Sequence, residues 1–145
     1  MRRFERAIVD FTETIRLKPD FALALCNRAF ANFELNRYDD ALADYTIAIA
    51  RAPTLTYCYP GRGNLFLTIG EYQKAVDDFT EAISQQPPDA LTLSRRAQAY
   101  EALGQRDHAL DDFRAALVAD PKLESAKEGF DRITEEQRRT DGEKR

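Results

Sequence analysis

Two sets of residues in this sequence have the type and spacing to do chemistry. Arg28, Arg62 and Arg96 recur every 34 residues, and Asp10, Asp44, Asp78 and Asp112 recur at the same interval. Three arginines in register could form a cationic ladder for an anionic ligand. They could instead close on the aspartates as ion pairs, Arg28 with Asp44, Arg62 with Asp78 and Arg96 with Asp112. A guanidinium can pack its stem over apolar neighbours while its head holds a carboxylate, and this structural reading is the one adopted. The acidic doublets Asp39-Asp40, Asp77-Asp78 and Asp111-Asp112 have no second ligand cluster beside them, so no metal is expected. His108, the one histidine, stands at the start of a helix and is expected to be solvated. The segment Gly61-Arg62-Gly63 lacks the spacing and the preceding strand of a phosphate loop. No catalytic constellation remains, so neither enzymatic activity nor a cofactor is expected.

Cys26 and Cys58 are too few for a disulfide framework or a zinc site. They are expected to be reduced thiols on equivalent helices of adjacent segments, with a single disulfide between them as the alternative. Composition sets further bounds. Hydrophobic residues are 43 % and charged residues 32 %, with a net charge of −4, the profile of a folded, water-soluble chain. The negative charge disfavours nucleic acid and anionic membrane as partners. No apolar run approaches the roughly 20 residues of a membrane span. No signal-length apolar stretch follows Met1-Arg2-Arg3, so a cytoplasmic location is expected. There are 21 alanines and no alternating apolar pattern, which predicts an all-α chain.

The elements that position these residues follow from the prolines. Pro19, Pro53, Pro87 and Pro121 are 34 residues apart, each preceded by a similar stretch. In those stretches Ala7, Ala41, Ala75 and Ala109 share a column. Phe11, Tyr45, Phe79 and Phe113 share the next, and Ile15, Ile49, Ile83 and Leu117 the third. Steps of four, with Ile8, Leu42, Val76 and Leu110 alongside, make one face of an amphipathic helix, here called helix B. A second helix, A, lies between each proline and the next helix B. It carries the small column Ala29, Gly63 and Ala97, which lets a neighbouring helix approach closely. The A–B turns carry Asn36, Gly70 and Gly104 in register, residues that tolerate the left-handed backbone ending a helix.

This pattern resembles the tetratricopeptide repeat over residues 4–123, through its 34-residue period, helix–turn–helix unit, small and aromatic columns and terminal proline. The resemblance implies an α-solenoid of antiparallel helix pairs in a right-handed superhelix, with A helices lining the concave side. Residues 1–21 form a leading half-repeat (helix B alone), 22–55, 56–89 and 90–123 three whole repeats, 124–138 a capping helix and 139–145 a mobile tail. Asn32 stands where the family usually has an aromatic, so helix A of that repeat is expected to be rotated or looser. Pro60 should stand at or next to the start of its helix A, after an extended TLTYCY segment, leaving that helix up to a turn short. The cap should turn Ala126, Phe130 and Ile133 inward. In the half-repeat, Ile8, Phe11 and Ile15 lack part of their cover. A fragment of a longer repeat protein, a homodimer through the N-terminal helix, and a self-covering helix are the three readings of that feature.

With no catalytic centre, function is assigned to a surface. In the family the concave groove holds an extended peptide or a partner's helix. Helical spacing puts Leu23, Cys26, Asn27, Phe30 and Phe33 there, then Tyr57, Pro60, Gly61, Asn64 and Leu67, then Leu91, Ser94, Arg95, Gln98 and Glu101. Phe30 and Phe33 could equally pack between helices. The residues proposed to bind are Leu23, Asn27, Phe30, Tyr57, Asn64, Leu91, Arg95 and Gln98. One subclass clamps the C-terminal carboxylate of chaperones through lysines, asparagines and an arginine. The matching places here hold Cys26, Phe30, Gly61, Leu91 and Arg95, of which only Arg95 agrees, so that ligand is disfavoured. The expected role is a non-catalytic scaffold or adaptor with a protein or peptide partner. The alternatives are self-assembly through the N-terminal end, or an accessory fragment regulating a larger protein.

Overall fold

A computed structural model describes residues 1–85 and 87–143. Among them are eight α-helices and no strand: α1 (Arg2–Leu17), α2 (Ala22–Glu34), α3 (Tyr38–Arg51), α4 (Cys58–Thr68), α5 (Tyr72–Gln85), α6 (Ala90–Ala102), α7 (Arg106–Ala119) and α8 (Glu124–Glu143). They form two compact units, Met1–Gln86 and Pro87–Arg145.

In the first unit α2 pairs with α3 and α4 with α5, α1 packs on α2, and α3 packs on α4. The predicted columns become the core. Ala29, Ala41, Ala48 and Phe79 are fully buried and Tyr45 nearly so. The small column is needed: a Cβ on Gly63 would stand 2.8 Å from Cε1 of Phe79. The hairpin turns close as the register requires. Asn36 and Gly70 have φ of +59° and +82°. The amides of Arg37 and Glu71 reach back to the carbonyls of Asn32 and Phe66, the bond that closes a Schellman motif.

In the second unit α6 pairs with α7, and α8 packs on α7 and α6. Asp89 caps α6 by accepting from the Thr92 amide at 2.9 Å. Ala97, Ala109, Phe113 and Ala126 are fully buried and Ile133 almost so, while Phe130 is half-buried. Two ion pairs, Arg106–Glu136 and Arg132–Glu101, join α8 to the α6–α7 hairpin.

Four expectations need correction. The segment before Pro60 is not extended: it is a run of turns in which the Leu55 amide bonds to the Ala52 carbonyl and that of Cys58 to Leu55. Helix α4 begins two residues before Pro60, whose missing N–H falls in a first turn that has no use for it, and is 11 residues long against 13 for α2 and α6. Helix α2 is neither loosened nor rotated by Asn32: it runs unbroken and keeps Ala29 fully buried. Residues 139–143, expected as tail, continue α8, and residues 144 and 145 lie outside the described residues. Finally, Cys26 and Cys58 are not free thiols. Both are fully buried and joined in a disulfide that ties α2 to α4 across a Cα–Cα distance of 5.6 Å.

Helix α1 has no buried residue. Ala7 and Phe11, whose counterparts in the other three B helices are buried, are only half-covered, as are Ile8 and Ile15.

Candidate peptide-binding face

The recurrent charges form ion pairs. Arg28 donates through Nε and Nη2 to the two Asp44 carboxylate oxygens at 2.7 Å each. Arg62 does the same to Asp78 at 2.8 Å, and Arg96 to Asp112 at 2.7 and 2.8 Å. The aspartates are buried. These bonds raise all three guanidinium pKa values, while burial raises that of Asp78 despite the opposing effect of its arginine. With the Nε–Nη2 edge of each guanidinium committed to a buried carboxylate, these arginines are paired within the fold and do not form a ladder for an external anion.

The remaining candidates fall on the A helices in three columns. Leu23, Tyr57 and Leu91 share the first. Asn27 and Arg95 share the second, with Gly61 between them, and Phe30, Asn64 and Gln98 the third. Positions separated by four and seven residues lie on one helix face, so each A helix presents one residue of every column together. Leu23, Asn27 and Phe30 stand on α2, Asn64 on α4 and Tyr57 at the N-cap of α4, and the two helices are packed neighbours in the first unit. Leu91, Arg95 and Gln98 stand on α6 of the second. Leu23, Phe30, Tyr57 and Leu91 are exposed, Tyr57 at 56 %. Asn27, Asn64, Arg95 and Gln98 are half-buried. Exposed apolar side chains ringed by amides are a composition that binds partners. One detail sharpens this face: Oδ1 of Asn64 is buried and accepts no hydrogen bond from the described residues. An unsatisfied buried acceptor costs about 1–3 kcal/mol.

Several neighbours drop out. Cys26 is sealed in the disulfide, and Ser94 is fully buried against Ser125, 3.0 Å away. Gly61 lies beneath the Tyr45 hydroxyl, and Glu101 is held by Arg132. Phe33 packs on the core and on Tyr38, ring centroids 5.8 Å apart. Phe30 remains exposed and meets Phe4 edge-on at 6.1 Å. Sequence reasoning passed over Phe4, although it stands in register with Tyr38 and Tyr72 at the 34-residue interval. His108, exposed as expected, stacks on Tyr100 at 5.1 Å. Among the described residues no group of three His, Cys, Asp or Glu could hold a metal ion, and no helix is long and apolar enough to cross a membrane.

Antiparallel helix pairs with this column pattern define an α-solenoid repeat protein. The tetratricopeptide repeat model matches residues 1–55 and 61–124, and the chain belongs to that family. No curated protein sequence matches it. Among solved structures it is similar to the Arabidopsis OM64 TPR domain, with 28 % identity, 77 % of this chain and 93 % of that one covered, and a TM-score of 0.74. It is also similar to the second TPR domain of human RPAP3 in complex with the HSP70 peptide SGPTIEEVD, with 26 % identity, 78 % and 94 % covered, and a TM-score of 0.73. The first TPR of Spaghetti (RPAP3), bound to the HSP90 peptide SRMEEVD, shares the fold at 22 % identity, 80 % and 92 % covered, and a TM-score of 0.77.

Proposed function

We propose that the chain is a non-catalytic scaffold or adaptor that captures a peptide segment or helix of a partner protein on the face of the first unit carrying Leu23, Asn27, Phe30, Tyr57 and Asn64, with Leu91, Arg95 and Gln98 as the corresponding contacts of the second unit taken by itself. The observation that carries this reading is the orphan Oδ1 of Asn64, about two turns into α4 from its N-cap residue Tyr57, whose ring is exposed. A peptide backbone N–H would satisfy that acceptor, while Leu23, Phe30 and Tyr57 bury apolar area. Peptide complexes of similar folds support the class of ligand. The ligand differs from the acidic peptides of those complexes, because of the clamp-type places only Arg95 carries the matching residue, Cys26 is sealed and Gly61 lies under Tyr45. The test is selection of a binding peptide from a displayed library. Tyr57→Ala with Asn64→Ala should weaken that peptide by about ten-fold or more with unchanged helicity. Unchanged affinity would move the site elsewhere.

A second reading is self-association through α1. It rests on the half-covered Ala7, Ile8 and Phe11, since an open apolar face is an association site by default. Sedimentation as a monomer at micromolar concentration would remove it. The cytoplasmic location drawn from the sequence is set against the Cys26–Cys58 bond, because disulfides persist where thiol reductants are scarce. The reading carried forward is therefore an oxidising compartment, and alkylation of the freshly isolated protein after denaturation without reductant tests it, since both sulfurs are fully buried in the fold: labelling of either thiol overturns it.

A further inference from the structure

The three A–B hairpins differ in what lies beside the paired arginine. In the second, the Phe66 ring lies under the Arg62 guanidinium, 5.6 Å from its centroid, with Lys74 at the same distance. In the third, Tyr100 lies 5.7 Å from Arg96 and stacks on His108. The equivalent residues of the first hairpin are Asn32 for the ring and Asp40 for its cap. Arg28 keeps the same bidentate grip on Asp44, so its guanidinium is set as in the siblings. With no ring beside it, it is also the most exposed of the three, at 23 % against 19 % and 16 %. Where the ring would be there is a hollow of about 410 Å³, lined by Ile8, Thr12, Arg28, Asn32, Arg37 and Asp40. Asn32 is 5 % exposed and lines the hollow. The hollow lies about 200° around α2 from Phe30 at 100° per residue, away from the peptide-binding face.

We propose that this hollow is a second binding site, which takes a tyrosine side chain of a partner protein in the place that Phe66 and Tyr100 fill in the other hairpins. The ring stacks on Arg28, an attraction worth about 0.5–2 kcal/mol, and rests on Ile8. The phenol O–H donates to the Asp40 carboxylate or to Oδ1 of Asn32. The acidic cap sets the preference: where the second hairpin has Lys74 over a plain phenyl ring, Asp40 asks for a ring that carries a donor.

The test is an amide NMR titration with p-cresol, toluene and N-acetyltyrosinamide. Saturable shifts centred on Thr12, Asn32, Arg37 and Asp40 are expected with p-cresol and N-acetyltyrosinamide, and about five-fold weaker ones with toluene. Asn32→Tyr should fill the hollow from within, remove those shifts and raise Tm. Asp40→Ala, an exposed site, should abolish the preference for p-cresol over toluene. Absence of saturable shifts in the parent chain, equal binding of toluene, or unchanged titrations in both variants would overturn the proposal. Binding of p-cresol but not of N-acetyltyrosinamide would overturn the assignment to a protein tyrosine.

Discussion

Arg62 reaches across the α4–α5 hairpin and donates through Nε and Nη2 to both carboxylate oxygens of Asp78, 2.8 Å each, with the aspartate side chain only 7 % exposed. Breaking one side of such a pair leaves an uncompensated charge in the interior. Asp78→Ala or Arg62→Ala alone should therefore cost about 3–5 kcal/mol, and the double variant far less than their sum. Urea unfolding of the four-member cycle measures the coupling, and additivity would show that the pair is ornamental.

Gly63 lets α4 pack directly on the Phe79 ring of α5 in that hairpin. Gly63→Ala places a Cβ 2.8 Å from the ring, and should destabilise by about 1–3 kcal/mol through overpacking. Phe79→Leu in the same chain should recover part of the loss, although alone it is also destabilising. Thermal melts of the two single variants and the pair check the sign of that interaction.

The disulfide closes a loop over a sequence separation of 32 residues. Its chain-entropy contribution is about 2–4 kcal/mol. Reduction, or Cys26→Ala with Cys58→Ala, should lower the midpoint of unfolding accordingly while leaving the helices formed. Alkylation of the unreduced, denatured protein should label no thiol.

How much of this was legible follows from which features obey the period. Arg28–Asp44, the Gly63–Phe79 contact and the left-handed Asn36, Gly70 and Gly104 all sit at positions that recur every 34 residues, so one register fixes every copy. Cys26 and Cys58 are 32 apart, off the period by two. Their meeting depends on the axial offset between α2 and α4, which no periodicity reports. The turns before Pro60 were missed for the same reason: they belong to one repeat only. Asn32 was visible as a departure, but its consequence was misjudged. The backbone of α2 is held by its neighbours' packing, so the missing ring leaves space rather than disorder. The binding face was legible as columns, whereas the orphan Asn64 oxygen depends on side-chain placement.

Burial of Tyr45 holds its phenol well above the usual value of 10.0, with the charges of Tyr57 and Glu34 adding to the effect. The native state thus keeps a proton that the unfolded chain releases. The associated stability is fully present below pH 10 and is lost as the pH climbs toward the native value, by about 1.4 kcal/mol per pH unit. Tyr45→Phe should remove this slope while leaving the contribution of Tyr59, which burial also raises. Denaturant unfolding of the two proteins from pH 9 upward tests the difference.

The central claim is that the face carrying Tyr57 and Asn64 captures peptide. Its most direct measurement is an amide NMR titration of the chain with a library-selected peptide, following the side-chain NH₂ of Asn64 together with the backbone. The account predicts saturable shifts of that group and of Leu23, Asn27, Phe30 and Tyr57, all abolished by Tyr57→Ala with Asn64→Ala. Saturable shifts that leave Asn64 and Tyr57 untouched and gather instead on α1 or around the exposed Val118 would contradict it.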